Sequence, residues 1–405
     1  MKQKSFFRKQ ILIIALVILT ITFLTRCFND RQNKIIIVSN SGQQYVGSAT
    51  CRSCHQAIYD SFISTAHHLT SRMAEKKYIT GSFSSGENTF VLDQHQEVFM
   101  QDRDDGFYQV ALIDGRLQQA ERFDIVIGSG KKGQSYLFWK DRALYELPVS
   151  WFAGVHNWAG SPGYPTNRIS FDRGIEPRCL ECHTTFVKEL PGYEYPEDQI
   201  VYGVDCEKCH GPSGKHVAWH QNNPGASQGK FILDPASFNR KQSLDLCALC
   251  HSGVLKSISP AFSFLPGDSL EKYFIRNAGH LDSSNLDVHA NQYGLLTASK
   301  CFRISGTMNC STCHNLHKKE SGDLAGYAQK CLNCHSGENH STCKIQPPPG
   351  FSLTAHCIQC HMPEKASGNL TLQIAGKPTP APEFVRSHLI AIYPEETKKI
   401  LHKNN

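Results

Sequence analysis

"VDCEKCHGPSGKHV", Val204 to Val217, holds two cysteines three positions apart, a histidine directly after them and a second histidine six residues further on. A zinc site, a disulfide, a redox dithiol and covalent haem attachment all draw on cysteines so spaced. The rest of the chain decides among them. The pattern C-x-x-C-H occurs at Cys51, Cys54 and His55; at Cys179, Cys182 and His183; at Cys206, Cys209 and His210; and at Cys247, Cys250 and His251. It returns at Cys310, Cys313 and His314; at Cys331, Cys334 and His335; and at Cys357, Cys360 and His361. These seven copies use 14 of the 17 cysteines. Zinc and redox pairs do not require the histidine. With 20 histidines in 405 residues, seven coincidences have a probability on the order of 10⁻⁹, whereas the c-type haem signature demands every one.

The spacing has a geometric reason. Two thiols about one helical turn apart reach the two vinyl groups of one porphyrin, and the next residue falls under the iron as its proximal imidazole. The expectation is seven covalent haem c groups on one chain, with His55, His183, His210, His251, His314, His335 and His361 as proximal ligands.

The first 27 residues read as a signal peptide or an N-terminal membrane or lipid anchor. Lys2, Lys4, Arg8 and Lys9 precede the apolar run Ile11 to Leu24, which is short for a membrane span and suits a secretory h-region. Cys27, in "LTRC", is a lipidation candidate, although Arg26 departs from the small residue usual there. Either reading exports the chain to a periplasmic or outer-facing position, where haem attachment and disulfides are both at home. These leader lysines and arginines, with Arg26, supply most of the net charge of +6. No basic stripe interleaved with aromatics follows, so nucleic acid is not an expected partner.

Residues 28–48 read as a linker and 49–79 as the first haem segment. No attachment site lies between His55 and Cys179; instead short strand-like runs such as "FYQVALI" and "QSYLFW" alternate with turn signals, Asp114-Gly115 among them. Residues 80–165 are therefore expected to be a β-rich insert of antiparallel strands without haem. The other six motifs crowd into 166–365, a six-haem core whose interior is porphyrin more than side chain and which should not fold without its cofactor. Residues 366–405 read as a C-terminal linker and helix.

Several stretches are similar to the multihaem cytochromes related to cytochrome c554, a superfamily that includes nitrite reductase and hydroxylamine oxidoreductase. They are "YVGSATCRSCH…TAHH", "CLECHTTF", "YGVDCEKCHGPSGKHV", "LLTASKCFRISGTMNCSTCHNLH" and "CIQCHMP". The resemblance covers about residues 45–75 and 173–395. It implies a multihaem cytochrome fold, mainly α, with little regular structure around stacked haems, plus the inserted antiparallel β subdomain. It also implies second axial ligands: His216, His67 (with His68 as its competitor), His289, His317 and His388, with His340 as a sixth choice. His156 is a further ligand or pocket candidate; His95 and His402 read as surface residues. His220, His280 and His356 carry no assigned role.

Two more cysteines, Cys301 and Cys343, flank the motifs at Cys310 and Cys331. A disulfide between them would contribute roughly 3–4 kcal/mol by loop entropy. The rival reading makes "HSTCK", His340 to Lys344, a degenerate attachment site with one thioether.

Irons with two imidazoles have no open position, so the expected function is electron transfer, not catalysis. Expected partners are other redox proteins or a quinol-linked membrane complex, with contact to the membrane through the N-terminal anchor. The alternative is a reductase or oxidase of a small nitrogen or sulfur species at one open haem; no residue is assigned a catalytic role.

Overall fold

The computed structural model describes residues 35–253, 255–275, 286–320, 322–336, 343–377 and 379–403. The leader with Cys27, together with His280 and His340, lies outside these. The chain divides into Met1–Ile37 and Val38–Asn405, and everything below concerns the second unit.

Strand β1 (Ser71–Met73) is followed by four strands that form their own antiparallel sheet: β2 (Thr89–Val91), β3 (Gln96–Arg103), β4 (Gly106–Ile113) and β5 (Arg116–Arg122). Then come β6 (Ile125–Ile127), β7 (Gly133–Lys140), β8 (Ala143–Glu146), β9 (Val149–Phe152) and β10 (Asn157–Gly160). Near the other end of the chain lie β11 (Glu364–Ile374) and β12 (Ala381–Arg386). The larger sheet has eight strands, in the order β12-β11-β10-β9-β7-β6-β1, with β8 paired to β7.

The turns follow from local chemistry. Asp114-Gly115 and Asp141-Arg142 are two-residue hairpin loops, with φ of 49° and 71° in the first and 50° and 68° in the second. Positive φ at both positions matches the right-handed strand twist, and Gly or Asp tolerates it. Val98, Met100 and Ala111 of the small sheet pack on Val126, Tyr136, Phe138, Trp151 and Trp158 of the large one. The fully buried Gln109 side chain crosses between them: its Nε2 donates to the Val149 carbonyl at 2.6 Å, and its Oε1 accepts from the Val149 amide at 3.1 Å. A buried amide that satisfies both ends this way costs little and fixes the register of the sheets.

The helices are short: α1 (Ser48–Phe62), α2 (Pro177–His183), α3 (Cys206–His210), α4 (Gly214–Asn222), α5 (Arg240–His251), α6 (Gln292–Ala298), α7 (Lys300–Ile304), α8 (Leu324–His335), α9 (Cys357–His361) and α10 (Pro394–Lys403). Helix makes up about 30% of the described residues and strand about 25%, which overturns the expectation of a mainly α fold. A helix that only braces one attachment site needs one or two turns, so the helical share stays low. The sheets, meanwhile, recruit residues 71–73 and 364–386 from outside the 80–165 segment.

That recruitment positions the site. β11 begins three residues after His361, and β12 ends two before His388. At the other edge of the sheet, Thr70 precedes β1; its carbonyl accepts from the Gly128 amide at 2.6 Å and its hydroxyl meets His183 Nδ1 at 3.1 Å.

Candidate functional site

One cavity of about 4450 Å³ is lined by all fourteen cysteines and all seven histidines of the C-x-x-C-H motifs. Ordinary ligand pockets measure roughly 300–1,000 Å³, so the space is that of several large ligands. The motifs sit on helical turns. α3 and α9 consist of the motif alone, α2, α5 and α8 end on its histidine, and α1 carries it in its first turns with a kink at His55. The turns are secured by caps: Asp205 accepts from the Cys206 amide, Asp323 from Gly326, and Asn239 and Gln242 cap α5 reciprocally. One turn places the two thiols on one face.

The histidines come in pairs across the cavity. The rings of His251 and His67 lie 6.1 Å apart, those of His210 and His317 6.1 Å apart, and those of His314 and His388 6.1 Å apart, centroid to centroid. Two imidazoles bound to opposite sides of one metal at about 2 Å each, plus about 1 Å from nitrogen to ring centre on either side, put the centroids roughly 6 Å apart. Each pair joins one motif histidine to one non-motif histidine, as an axial set requires. His289 stands electrostatically beside His183, the first charged neighbour that holds the His183 pKa down.

Ring orientation is set through Nδ1. His210 and His361 donate from Nδ1 to the carbonyls of Leu233 and Ala391, at 2.9 and 2.8 Å. His183 meets Thr70 Oγ1, His251 meets Gln292 Oε1 at 3.3 Å, and His314 meets the Tyr327 hydroxyl at 3.1 Å. A partner on Nδ1 leaves Nε2 as the ligating nitrogen. Burial, then neighbouring histidines, push His67, His183 and His388 down to about 4. They are therefore neutral near pH 7, the form that ligates metal.

Of the competing pair, His67 faces His251 on the cavity wall, while His68 turns to the Asp205 carboxylate at 3.6 Å. His216, His289, His317 and His388 all reach the cavity. The His216 Nδ1 donates to the Lys230 carbonyl at 2.8 Å, the same anchoring that the motif histidines show. His156 is exposed, has a φ of 49°, sits 5.8 Å from the Trp151 ring and does not line the cavity. His95 pairs with Asp114 at the surface. Two histidines without an assigned role, His220 and His356, also reach the cavity. For His220 the signal was its spacing: it follows His216 by one turn of α4, with ring centroids 4.6 Å apart.

Cys301 and Cys343 carry free thiols. Cys301 lies near the motif thiols Cys313, Cys331 and Cys334, and Cys343 near Cys357 and Cys360. The expected disulfide is not formed in the structure.

The lining fits haem on several counts. Ile58, Ile304, Ile345 and Ile392 face the cavity yet remain 41–79% exposed, apolar surface of the kind a porphyrin face covers. Sulfurs of different motifs also lie side by side: Cys51 with Cys206, Cys182 with Cys250, and Cys247 with Cys310. Haems held at such neighbouring sulfurs would lie close to one another.

Residues 166–211, which span the second and third motifs, match the family model for cytochrome c554 and c-prime. The chain is 25% identical over 238 residues to the C-type polyheme cytochrome OmcC of Geobacter sulfurreducens, covering 56% of this chain and 26% of that protein. It is 21% identical over 201 residues to the multiheme cytochrome MtrA of Shewanella baltica, covering 45% of this chain and 51% of that one. It thus spans a quarter to a half of the length of these relatives. The crystal structure of the outer cell wall cytochrome OcwA has the same fold, with a TM-score of 0.50 and 18% identity over 88% of this chain and 81% of that chain. Cavity, histidine pairs and relatives agree. The chain is a multihaem c-type cytochrome, and its cofactor is haem c.

Proposed function

We propose that the protein is an exported seven-haem cytochrome that relays electrons through haems with mostly bis-histidine ligation. The observation that carries this reading is the single cavity that all seven motifs share, with three histidine pairs across it at axial spacing. Divided among seven groups, the cavity allows each about 640 Å³, within the usual range for one bound cofactor. Sulfur neighbours link the first motif to the third, the second to the fourth and the fourth to the fifth; with Cys209 near Cys247, and Cys313 and Cys357 near Cys331, they support a continuous line of closely spaced centres.

Bis-histidine ligation leaves the iron no place for substrate, and the residues of this chain then serve to attach, orient and desolvate the cofactors. The donor and acceptor are other redox proteins or a quinol-linked membrane complex. The leader and Cys27 support export with a membrane or lipid anchor. Among the described residues no helix is long and apolar enough to cross a membrane.

A pyridine haemochrome assay on the purified protein should count seven haems per chain. Electron paramagnetic resonance of the oxidised protein should show low-spin signals throughout. A count of four or five would mean unused motifs, and a clean high-spin haem would move the function to reduction or oxidation of a small nitrogen or sulfur species at an open iron.

A further inference from the structure

The acceptor on Nδ1 differs among the motif histidines. For His210, His361, His183 and His251 it is a backbone carbonyl, a threonine hydroxyl or a glutamine amide, all neutral and with no onward carboxylate in these contacts. His314 meets a phenol. The Tyr327 hydroxyl stands 3.1 Å from His314 Nδ1, with the two rings edge to face at 5.2 Å. Tyr327 also hydrogen-bonds the Glu320 side chain. Glu320 Oε2 accepts from the amide of Asn315 at 2.8 Å, the residue directly after His314. The four groups close a ring: imidazole to phenol, phenol to carboxylate, and carboxylate back to the backbone beside the imidazole.

The direction of the bonds is fixed by chemistry. With Nε2 on iron, Nδ1 carries the hydrogen and donates to the phenol oxygen; the phenol in turn donates to Glu320, which can only accept. Donors in series polarise one another. A carboxylate at the end of a chain that begins on a metal-bound imidazole makes the ligand more basic, and a more basic ligand favours ferric over ferrous iron.

We infer that Tyr327 and Glu320 form a tuning relay that lowers the midpoint potential of the haem held by Cys310, Cys313 and His314 relative to haems whose histidines end on neutral acceptors. This rests on the reading of His314 as a proximal ligand. The position gives the relay consequence. Tyr327 lies one turn before Cys331 on α8, whose Sγ donates to the Tyr327 carbonyl. Cys310 touches Cys247. A low-potential centre between the motifs at Cys247 and Cys331 would make passage through this point an uphill step in the line and let electrons rest on either side of it.

The test uses the full haem-loaded chain and spectroelectrochemical titration. Tyr327→Phe removes the phenol and keeps the ring, and Glu320→Gln keeps the phenol and neutralises the acceptor. Both should retain every haem and raise one midpoint. Tyr327→Phe should change the oxidised-to-reduced ratio of that haem about tenfold at fixed potential, which is 59 mV for one electron; Glu320→Gln should shift it less. Full haem content with every midpoint unchanged in both variants overturns the relay. Should Tyr327→Phe fail to fold, Glu320→Gln decides alone. His314→Gly separates the two levels. If it leaves all spin states as they were, His314 is not a ligand and the relay falls with that reading; if it opens one iron, the ligand reading stands whatever the relay variants show.

Discussion

The Glu207 carboxylate accepts the amide of Gly47 at 2.8 Å, and through that bond the third attachment motif holds the start of the first. Glu207 sits inside C-E-K-C-H and is buried. It also accepts the Val46 amide at 3.1 Å, the Ser213 amide at 2.8 Å and the Ser213 hydroxyl at 2.7 Å. Val46 and Gly47 lead into α1 with Cys51 and His55, and Ser213 is the N-cap of α4 with His216. A residue whose position in the motif is chemically free thus ties the segment of the first motif and the helix of His216 to the third motif.

Replacing Glu207 with Gln should therefore do more than remove a charge. An amide oxygen cannot serve four donors, and its own NH₂ group would face amide hydrogens. Each buried group left unpaired costs about 1–3 kcal/mol. The expected outcome is a lower thermal midpoint with all haems still attached, since the cysteines are untouched. Thermal unfolding followed in the Soret band checks it, and an unchanged midpoint would mean that the segments are held by the cofactors alone.

The three histidine pairs differ in ring orientation. His67 and His251 are 69° apart, His210 and His317 22°, and His314 and His388 28°. The relative orientation of axial imidazole planes governs the anisotropy of a low-spin ferric signal: near-perpendicular planes give a highly anisotropic signal and near-parallel planes a rhombic one. The oxidised protein should show both kinds. His67→Gly should abolish one highly anisotropic signal, create one high-spin signal, and recover low spin when imidazole is added. Loss of a rhombic signal instead would pair His67 with a different iron.

Asp287 makes the third case. Its carboxylate accepts from the His289 amide at 2.7 Å, from Ser367 Oγ at 2.7 Å and from the Gly368 amide at 2.6 Å. Ala290, with φ of 55°, offers its carbonyl to the Gly253 amide at 2.7 Å. His289 thus leaves a loop tied on one side to β11 and on the other to the end of α5. Asp287→Ala should free that loop and lower the occupancy of His289 at the iron of His183. The expected signature is a partial high-spin signal that imidazole suppresses, at a stability cost of about 1–3 kcal/mol. A fully low-spin spectrum would show that the ligand holds its own loop in place.

The motif residues that line the cavity were legible in the sequence because the C-x-x-C-H signature leaves no freedom in spacing. The first hairpin was legible too, through Asp114-Gly115. The five secondary histidines named through the resemblance, His67, His216, His289, His317 and His388, all line the cavity; His220 and His356, which also line it, were given no role. His220 could have been found from its one-turn spacing to His216, but His356 carries no such signal, and the preference for His67 over His68 gains its physical reason only when Asp205 is seen to take His68. The strand share was missed for a related reason: β11 and β12 join the sheet from more than two hundred residues away, and long-range pairing leaves no local mark.

His216 and His220 pose the sharpest remaining choice, since both reach the cavity from one face of α4. The anchoring of its ring favours His216. Its Nδ1 is held by the Lys230 carbonyl at 2.8 Å, and three residues on the Leu233 carbonyl holds His210 in the same way at 2.9 Å. One short segment, turned by Phe231 at φ 58°, therefore orients the ligand of the third motif and the ring of His216 together. The His220 ring is edge-on to both Trp219 and His216. Self-ligation by His216 at the haem of His210 is sterically awkward, because the porphyrin would stand between its own proximal histidine and a loop as short as Gly211 to Lys215. His216→Gly should accordingly open an iron other than that of His210, with a new high-spin signal and full haem content. His216→Met should raise one midpoint potential, because a thioether favours ferrous iron more than imidazole does. His220→Gly should leave every spin state as it was. If the high-spin signal follows His220 instead, the anchoring carbonyl of Lys230 is structural and the ligand is the histidine one turn further along.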